Sequence, residues 1–244
     1  VQDHLRSGGT ERQSILLANA FAAAGQATTL LTFRPGGTLA ATVSPAVERC
    51  VLQSIDLGLD WFAPGLGSRA RRIAPDIIVC MGRMANCHGW RLAGIAPTVA
   101  TMRTGKSLPW LFRRTLRAAA HVVANSAEAR DNLVAPALVA AHRVSVIHNS
   151  LIFPPESALW RNQALRAQHG AGAGTRVLLC VAMFRREKNQ RELIEIVSGL
   201  PLELDWQLWF AGDGPERPAC VQLAARKGLE ERFHLSTLQA QAIL

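Results

Sequence analysis

Short apolar runs that alternate with helical segments are the feature that most limits how this chain can fold. Residues that are apolar on both faces of a short strand are typical of a parallel sheet covered by helices on both sides. In the first 150 residues the apolar runs lie at 27–33, 74–81, 97–102, 121–125 and 143–148, and helical patterns at 10–25, 108–119 and 126–134. The alternation predicts a doubly wound α/β layer on a mainly parallel sheet.

The pattern restarts after a proline pair at 154–155. A new apolar strand is predicted at 176–184, then a helix at 189–200, strands at 206–212 and 232–235, and a helix opened by Gly214 and Pro215 between them. We therefore predict a first domain over 1–153 and a second over 154–244. The second is expected to be partial, because about three strands are found where such sheets usually have about five or six. The first strand also has little room before the glycines at 8–9, so pieces are expected to be missing at both ends.

Composition and charge bound the functional class. The net charge is +9, and residues 1–150 carry 16 Lys and Arg against 8 Asp and Glu, so the basic excess lies in the first part. Such an excess indicates an anionic partner, with a phosphorylated substrate, anionic lipid and nucleic acid as candidates. The sequence shows no apolar run of about eighteen residues and no leader pattern, so a cytoplasmic protein is expected. The five cysteines lack metal-ligand spacing, and no metal site is expected.

The stretch LRSGGTERQ at 5–13 places Gly8 and Gly9 directly before a predicted helix. Two interpretations stay open at this point, a loop that approaches a ligand or a tight connection. Thr10 and Gln13 have the spacing of a capping box, in which the threonine hydroxyl accepts from the first turn. No Walker lysine and no third glycine at Rossmann spacing follow, so the pair indicates neither a P-loop nor a dinucleotide site.

Five motifs in one order resemble those of retaining glycosyltransferases of family four, which have the two-domain GT-B fold. The resemblance covers most of the chain, and the motifs are SGGTERQSILLANAFAAAGQATTLLTF (7–33), VVANSAEARDNL (122–133), RVSVIHNSLIF (143–153), VAMFRREKNQRELIEI (181–196) and FAGDGPERPACVQLAARKGLEERFHLST (210–237). It implies a nearly complete first Rossmann-like domain on the acceptor side and a partial second one that binds a nucleotide sugar.

The same resemblance implies roles for particular residues. Gly8 and Gly9 are expected to approach the donor phosphates, and Arg185 and Lys188 to neutralise the diphosphate. Fixed cations aimed at a leaving diphosphate stabilise the transition state more than the ground state. Gly212 and Gly214 are expected either to contact the nucleotide or to form a plain strand-to-helix turn. No cofactor is expected beyond the nucleotide-diphosphate sugar, which is the donor substrate.

Several positions depart from the family pattern. Ala182 and Met183 stand where the family has Gly-Arg, so an arginine role would pass to Arg185 or Arg186. Ser150 replaces the glycine that usually follows Asn149, which puts the local backbone in question. Arg103 stands where many members have a histidine near the acceptor. Because an arginine stays charged at neutral pH, this catalytic candidate is interpreted as a contact to an anion or a hydroxyl rather than as a base.

The resemblance implies that the family's paired glutamates, which hold the donor's sugar and ribose, would lie beyond the last strand that the sequence predicts. Two functions are therefore kept. The first is sugar transfer with retention from a nucleotide-diphosphate sugar to a saccharide or lipid-linked acceptor, in polysaccharide biosynthesis. The second is a catalytically inactive GT-B module that binds an anionic polymer or membrane surface. Nucleic-acid binding is not expected, because no recognition-helix motif or basic aromatic sheet face is visible.

Two further features can be interpreted either as purely structural or as functional. The basic helical segment 108–119 is either a solvated face whose aromatic residues join the core or a peripheral contact with an anionic membrane. His88 and His121 stand alone, and each is expected to be a hydrogen-bonded or surface side chain rather than a catalyst.

Overall fold

The computed structural model describes residues 1–103, 105, 107–151, 163–201 and 203–236. These residues form two compact units, Val1–Leu151 and Ile152–Leu244. The helices of the first unit are α1 (Gly9–Ala23), α2 (Leu66–Ile73), α3 (Arg83–Leu92), α4 (Trp110–Ala118) and α5 (Ala127–Val134). Its strands are β1 (Thr29–Thr32), β2 (Glu48–Val51), β3 (Ile78–Cys80), β4 (Thr98–Met102), β5 (His121–Ala124) and β6 (Val144–Val146).

The extended residues 1–3 join the strands of the first unit into one parallel layer. The strands pair as β1 with β2 and in the order β3-β4-β5-β6, all in parallel. Residues 1–3 lie between the two groups, because the Gln2 nitrogen donates to Leu31 O (2.9 Å) and the Met81 nitrogen to Val1 O (2.9 Å). The layer order is then β2, β1, residues 1–3, β3, β4, β5, β6. This order reverses direction beside residues 1–3, which is where doubly wound sheets bind ligands.

Helices cover both faces of this layer, and the sequence explains part of the pattern. On α4, Phe112 and Leu116 are buried against β4 to β6, whereas Trp110 at the start of the helix is 68% exposed. On α1, Ile15 and Ala18 are buried with Leu30 of β1. Each fully buried large apolar side chain stabilises the unit by roughly 1.5–3 kcal/mol.

Three elements of the first unit, β2, α2 and α3, were not predicted. Strand β2 has the sequence ERCV, in which only Cys50 is buried, and it lies in a segment rich in glycine and proline. Helix α3 contains Gly89 and has no clear helix signal at its start. Its first amides donate to the carboxylate of Asp3, which lies at the start of the chain. Neither β2 nor α3 has a local sequence pattern strong enough to identify it.

The predicted capping box at Thr10 is wrong. Gly8 is the N-cap residue of α1, so Thr10 lies inside the helix and is not its cap. The Thr10 backbone oxygen accepts a hydrogen bond from Ser14 Oγ. By contrast Ser126 caps α5, because its Oγ accepts from the Ala129 nitrogen at 3.1 Å.

The second unit has a parallel sheet in the order β7-β8-β9, with β7 (Arg176–Val181), β8 (Trp206–Ala211) and β9 (Phe233–Ser236). Its helices are α6 (Gln163–Gln168), α7 (Gln190–Val197) and α8 (Arg217–Arg226). All six residues of β8 are buried, and the core gathers Phe184, Ile194 and Phe210. Among residues 163–201 and 203–236, no strand pairs with the other edge of β7. Leu179 and Val181, which share one face of β7, are exposed.

Candidate functional site

The amino terminus of α1 lies open to solvent above the Gly8–Gly9 pair. Gly8 has φ −76° and ψ 163°, a conformation that any residue adopts, so the backbone does not require a glycine there. A Cβ on Gly9 would meet no atom within 4 Å, whereas one on Gly8 would meet the Glu11 carboxylate. Gly9 therefore leaves room beside the first turn of α1, where helix amides can bind an anion, whereas the Glu11 carboxylate occupies the space beside Gly8.

Gln13 ties the first turn of α1 to the end of the first unit. Its Nε2 donates to Ser150 O at 2.6 Å, and the Ser150 nitrogen donates to Gln13 Oε1 at 2.9 Å. Gln13 is only 8% exposed and Ser150 is exposed, so both bonds are partly shielded from water. Ser150 is not among the residues with positive φ, so it occupies the usual glycine position without backbone strain.

Arg103 reaches the same place from the end of β4. Its guanidinium donates to Asn149 Oδ1, and Asn149 precedes the serine that Gln13 holds. Burial lowers the pKa of Arg103 below its usual value, and its buried Nε has no hydrogen-bond partner among the described residues. Arg103 is thus linked to α1 through Asn149, Ser150 and Gln13, and its buried Nε–H is left without a partner in the described part of the chain.

Asp3 is a second half-buried charged side chain at this edge that the sequence did not identify. Asp3 ends the extended residues 1–3, beside which the strand order reverses direction. Its carboxylate accepts from the Met84 and Ala85 nitrogens at 3.2 and 2.9 Å. Burial raises the pKa of Asp3 to about 6, although both hydrogen bonds oppose the shift. Its partners lie more than eighty residues away in sequence, so no local motif could have indicated it.

The cations of the second unit lie on one turn. Arg185 precedes a short 3₁₀ helix, Arg186–Lys188, that leads into α7, and its guanidinium stands 3.9 Å from the Glu187 carboxylate. Both Arg185 and Lys188 are exposed. Three residues separate Arg185 from the end of β7 at Val181. Arg185 and Lys188 therefore lie at the carboxyl edge of that sheet, which is the position that the resemblance implies.

Close backbone packing accounts for the two glycines after β8. Gly212 has φ 148° and Gly214 has φ 153°, conformations that side chains rarely adopt. A Cβ on Gly212 would stand 2.2 Å from Ala182 O, and one on Gly214 would stand 2.4 Å from Phe184 O. The turn thus packs against the segment that carries the cations, and this packing requires both glycines without a ligand.

The remaining candidates have ordinary structural partners. His88 Nε2 lies 2.9 Å from Trp61 O, and His121 Nε2 lies 2.9 Å from Ser145 Oγ. In the described part of the chain, no group of three or more His, Cys, Asp or Glu side chains is placed to hold a metal ion. The helices described there are all too short or too polar to cross a membrane.

Comparisons with solved structures show proteins with the same fold. HepE from Anabaena, solved with UDP, has 22% identity and a TM-score of 0.71, and the match covers 94% of this chain and 66% of HepE. A glycosyltransferase from Rickettsia africae has 17% identity and a TM-score of 0.72, with 97% and 66% covered. The lipopolysaccharide outer core galactosyltransferase WaaB has 16% identity and a TM-score of 0.65, with 96% and 66% covered.

The chain spans 66% of the length of each of these proteins. A comparison with curated protein sequences gives no match. These likenesses confirm the predicted α/β architecture as one of the GT-B type. The family model described as Glycosyltransferase Family 4 matches residues 7–151, more than half of the chain. The resemblance stated from the motifs is thus confirmed, and the chain belongs to glycosyltransferase family 4.

Proposed function

We propose that this chain transfers a sugar from a nucleotide-diphosphate sugar to a hydroxyl of a saccharide or lipid-linked acceptor. The observation that carries the proposal is the open space at Gly9 at the amino terminus of α1, a helix that Gln13, Ser150 and Asn149 link to Arg103 inside the region that the family model matches. HepE, a protein of the same fold, has been solved with UDP and with UDP-glucose, so a uridine nucleotide sugar is the first donor to test.

In the proposed reaction the anomeric configuration is retained. The bond between the anomeric carbon and the diphosphate oxygen breaks as the acceptor oxygen bonds to the same face of that carbon. The acceptor proton passes to the departing phosphate oxygen. Arg185 and Lys188 supply positive charge to the diphosphate, and Arg103 contacts an anionic or hydroxyl group of the bound substrates. This scheme uses no metal ion and no cofactor.

Replacing Lys188 tests the donor site. We expect Lys188→Ala to weaken UDP binding by tenfold or more in a calorimetric titration, because a charge-assisted contact contributes about 1.5–3 kcal/mol. Arg226→Ala is the matched control, since it removes one exposed positive charge at the far end of α8. Equal UDP affinity in the Lys188→Ala variant and the unaltered protein would exclude the assigned role.

The exposed side of α4 favours a second property, contact with an anionic membrane. Trp110 is 68% exposed, and the exposed Arg113 and Arg117 follow on the same helix. The third arginine, Arg114, stacks 3.7 Å from the ring centre of Trp90. An exposed tryptophan beside arginines suits a membrane surface. Such contact fits a cytoplasmic enzyme at the inner face of the membrane, and equally an inactive module that only binds there.

Two measurements on one sample separate the active enzyme from the inactive module. Co-sedimentation with anionic vesicles reports membrane contact, and the thermal shift with UDP-glucose reports donor binding. A nucleotide-dependent shift supports the transferase. Vesicle binding without a shift for any nucleotide sugar supports the inactive module instead.

A further inference from the structure

A basic cavity of about 410 Å³ lies in the second unit, between the start of α7 and the start of α8. Arg185, Arg186 and Arg191 line it from the α7 side, and Glu216 lines it at the N-cap of α8. Lys188, Gly212 and Gly214 are absent from its walls. The cavity is therefore distinct from the position that the proposed donor contacts define, although Arg185 adjoins both.

The charges around the cavity favour a dianion. Three guanidinium groups face one carboxylate, and in the described part of the chain neither Arg186 nor Arg191 has a carboxylate within ion-pair distance. Closely spaced guanidinium groups repel one another and present forked donors that match phosphate oxygens. A phosphate monoester carries about −1.5 to −2 charges at neutral pH, which balances the excess.

Gln190 adds a requirement for a hydrogen-bond donor. Its side chain is 2% exposed, and its Nε2 donates to Met183 O at 2.9 Å, which fixes the orientation of the amide. The remaining oxygen, Oε1, is buried without a partner in the described part of the chain. A buried acceptor left without a donor is unfavourable, so a ligand that fills the cavity gains by offering a hydroxyl there.

We propose that this cavity binds a phosphate monoester that carries a hydroxyl group, with the phosphate on the arginines and the hydroxyl on Gln190. The volume lies within the range of small-molecule sites and exceeds what a bare phosphate fills. This site goes beyond the proposed sugar transfer and does not depend on it. Of the two cations proposed for the donor diphosphate, Arg185 lines the cavity and Lys188 does not.

Binding of three probes tests the ligand class. Glycerol phosphate carries both groups, whereas inorganic phosphate and glycerol carry one each. In calorimetric titrations of the whole chain we expect glycerol phosphate to bind at least tenfold more tightly than inorganic phosphate, and glycerol not to bind. Equal affinity for the two phosphates, or no binding of glycerol phosphate, would overturn the proposal.

Arg191 locates the site, because it lines the cavity and has no part in the proposed donor contacts. We expect Arg191→Gln to weaken glycerol phosphate about tenfold or more, while Arg226→Gln at the far end of α8 leaves its affinity unchanged. Equal weakening by both variants would indicate general screening by charge and refute the site.

A parallel titration with UDP keeps the two proposals distinguishable. Lys188→Gln should weaken UDP and leave glycerol phosphate bound, and Arg191→Gln should do the reverse. Failure of UDP to bind, with glycerol phosphate binding intact, would refute the donor site alone. Loss of glycerol phosphate binding in Lys188→Gln, with Arg191→Gln unaffected, would refute the cavity.

Discussion

Asp3 makes the stability of the first unit depend on pH. Its carboxylate is buried where the sheet reverses direction, and it accepts from two amides at the start of α3. Burial raises its pKa from 3.8 to about 6, and the charges of Asp60 and Glu11 push in the same direction. Because the pKa is higher in the folded state than in the unfolded chain, the ionised form is the less stable one in the fold. Asp3 therefore favours folding most at low pH and loses this advantage as pH rises towards 6.

The pKa values give the size of the effect. A shift from 3.8 to about 6 corresponds to about 3 kcal/mol of unfolding free energy at pH 7, since each pKa unit is worth about 1.4 kcal/mol. At pH 4 about 0.5 kcal/mol of this loss has already occurred, because part of the unfolded population is ionised there. Asp3→Asn removes the ionisation and keeps one acceptor for the α3 amides. The stability of the unaltered protein relative to Asp3→Asn should thus fall by about 2 kcal/mol from pH 4 to pH 7.

Urea unfolding at pH 4, 5, 6 and 7 measures this difference. Asp76→Asn is the matched control, because it removes an exposed carboxylate from the same unit. We expect the difference between the unaltered protein and Asp3→Asn to change with pH most steeply between pH 4 and 6. A difference that stays constant from pH 4 to 7, or that matches the Asp76→Asn control, would refute the assigned burial of the charge.

Two further substitutions test the contacts at the candidate sites. Gln13→Leu should lower the unfolding free energy measured in urea by about 2–3 kcal/mol, because both hydrogen bonds to the backbone of Ser150 are lost. A change below about 0.5 kcal/mol would mean that water replaces these two bonds. Gly214→Ala should destabilise the second unit by about 3 kcal/mol or more, since its Cβ would meet a backbone oxygen. Gly228→Ala is the control, because Gly228 has φ +66° but no atom near the place of a Cβ. The strained backbone alone should cost about 1–2 kcal/mol there. Equal losses of unfolding free energy in the two variants would show that steric contact is not the cause.

The sequence predicts those elements whose signal is local. The apolar runs at 97–102 and 121–125 become β4 and β5, and Ser126 caps the helix that follows, because each pattern is contained within a few residues. Strand β2 and helix α3 lack such patterns, since their ends are set by contacts with distant parts of the chain. Tertiary contact decides these elements, and a local propensity is only a weak guide to them.

The candidate sites divide in the same way. The motifs indicated the turn that carries Arg185 and Lys188, because a basic pair after a strand is visible in the sequence. They did not indicate Asp3, whose partners are Met84 and Ala85, or the unpartnered oxygen of Gln190. A buried group without a partner is a property of packing, so it becomes visible only when the chain is folded.

The two glycine pairs show why a residue type alone does not define a site. Gly8 and Gly9 have no conformation that requires glycine, and the space over Gly9 is empty. Gly212 and Gly214 have positive φ, and backbone oxygens of the neighbouring segment fill the places of their side chains. From the sequence alone, both pairs allow the same interpretation as a loop that contacts a ligand. The fold explains the second pair by packing alone. At the first pair the Glu11 carboxylate fills the place beside Gly8 and only Gly9 has open space, so a ligand contact stays a prediction for Gly9.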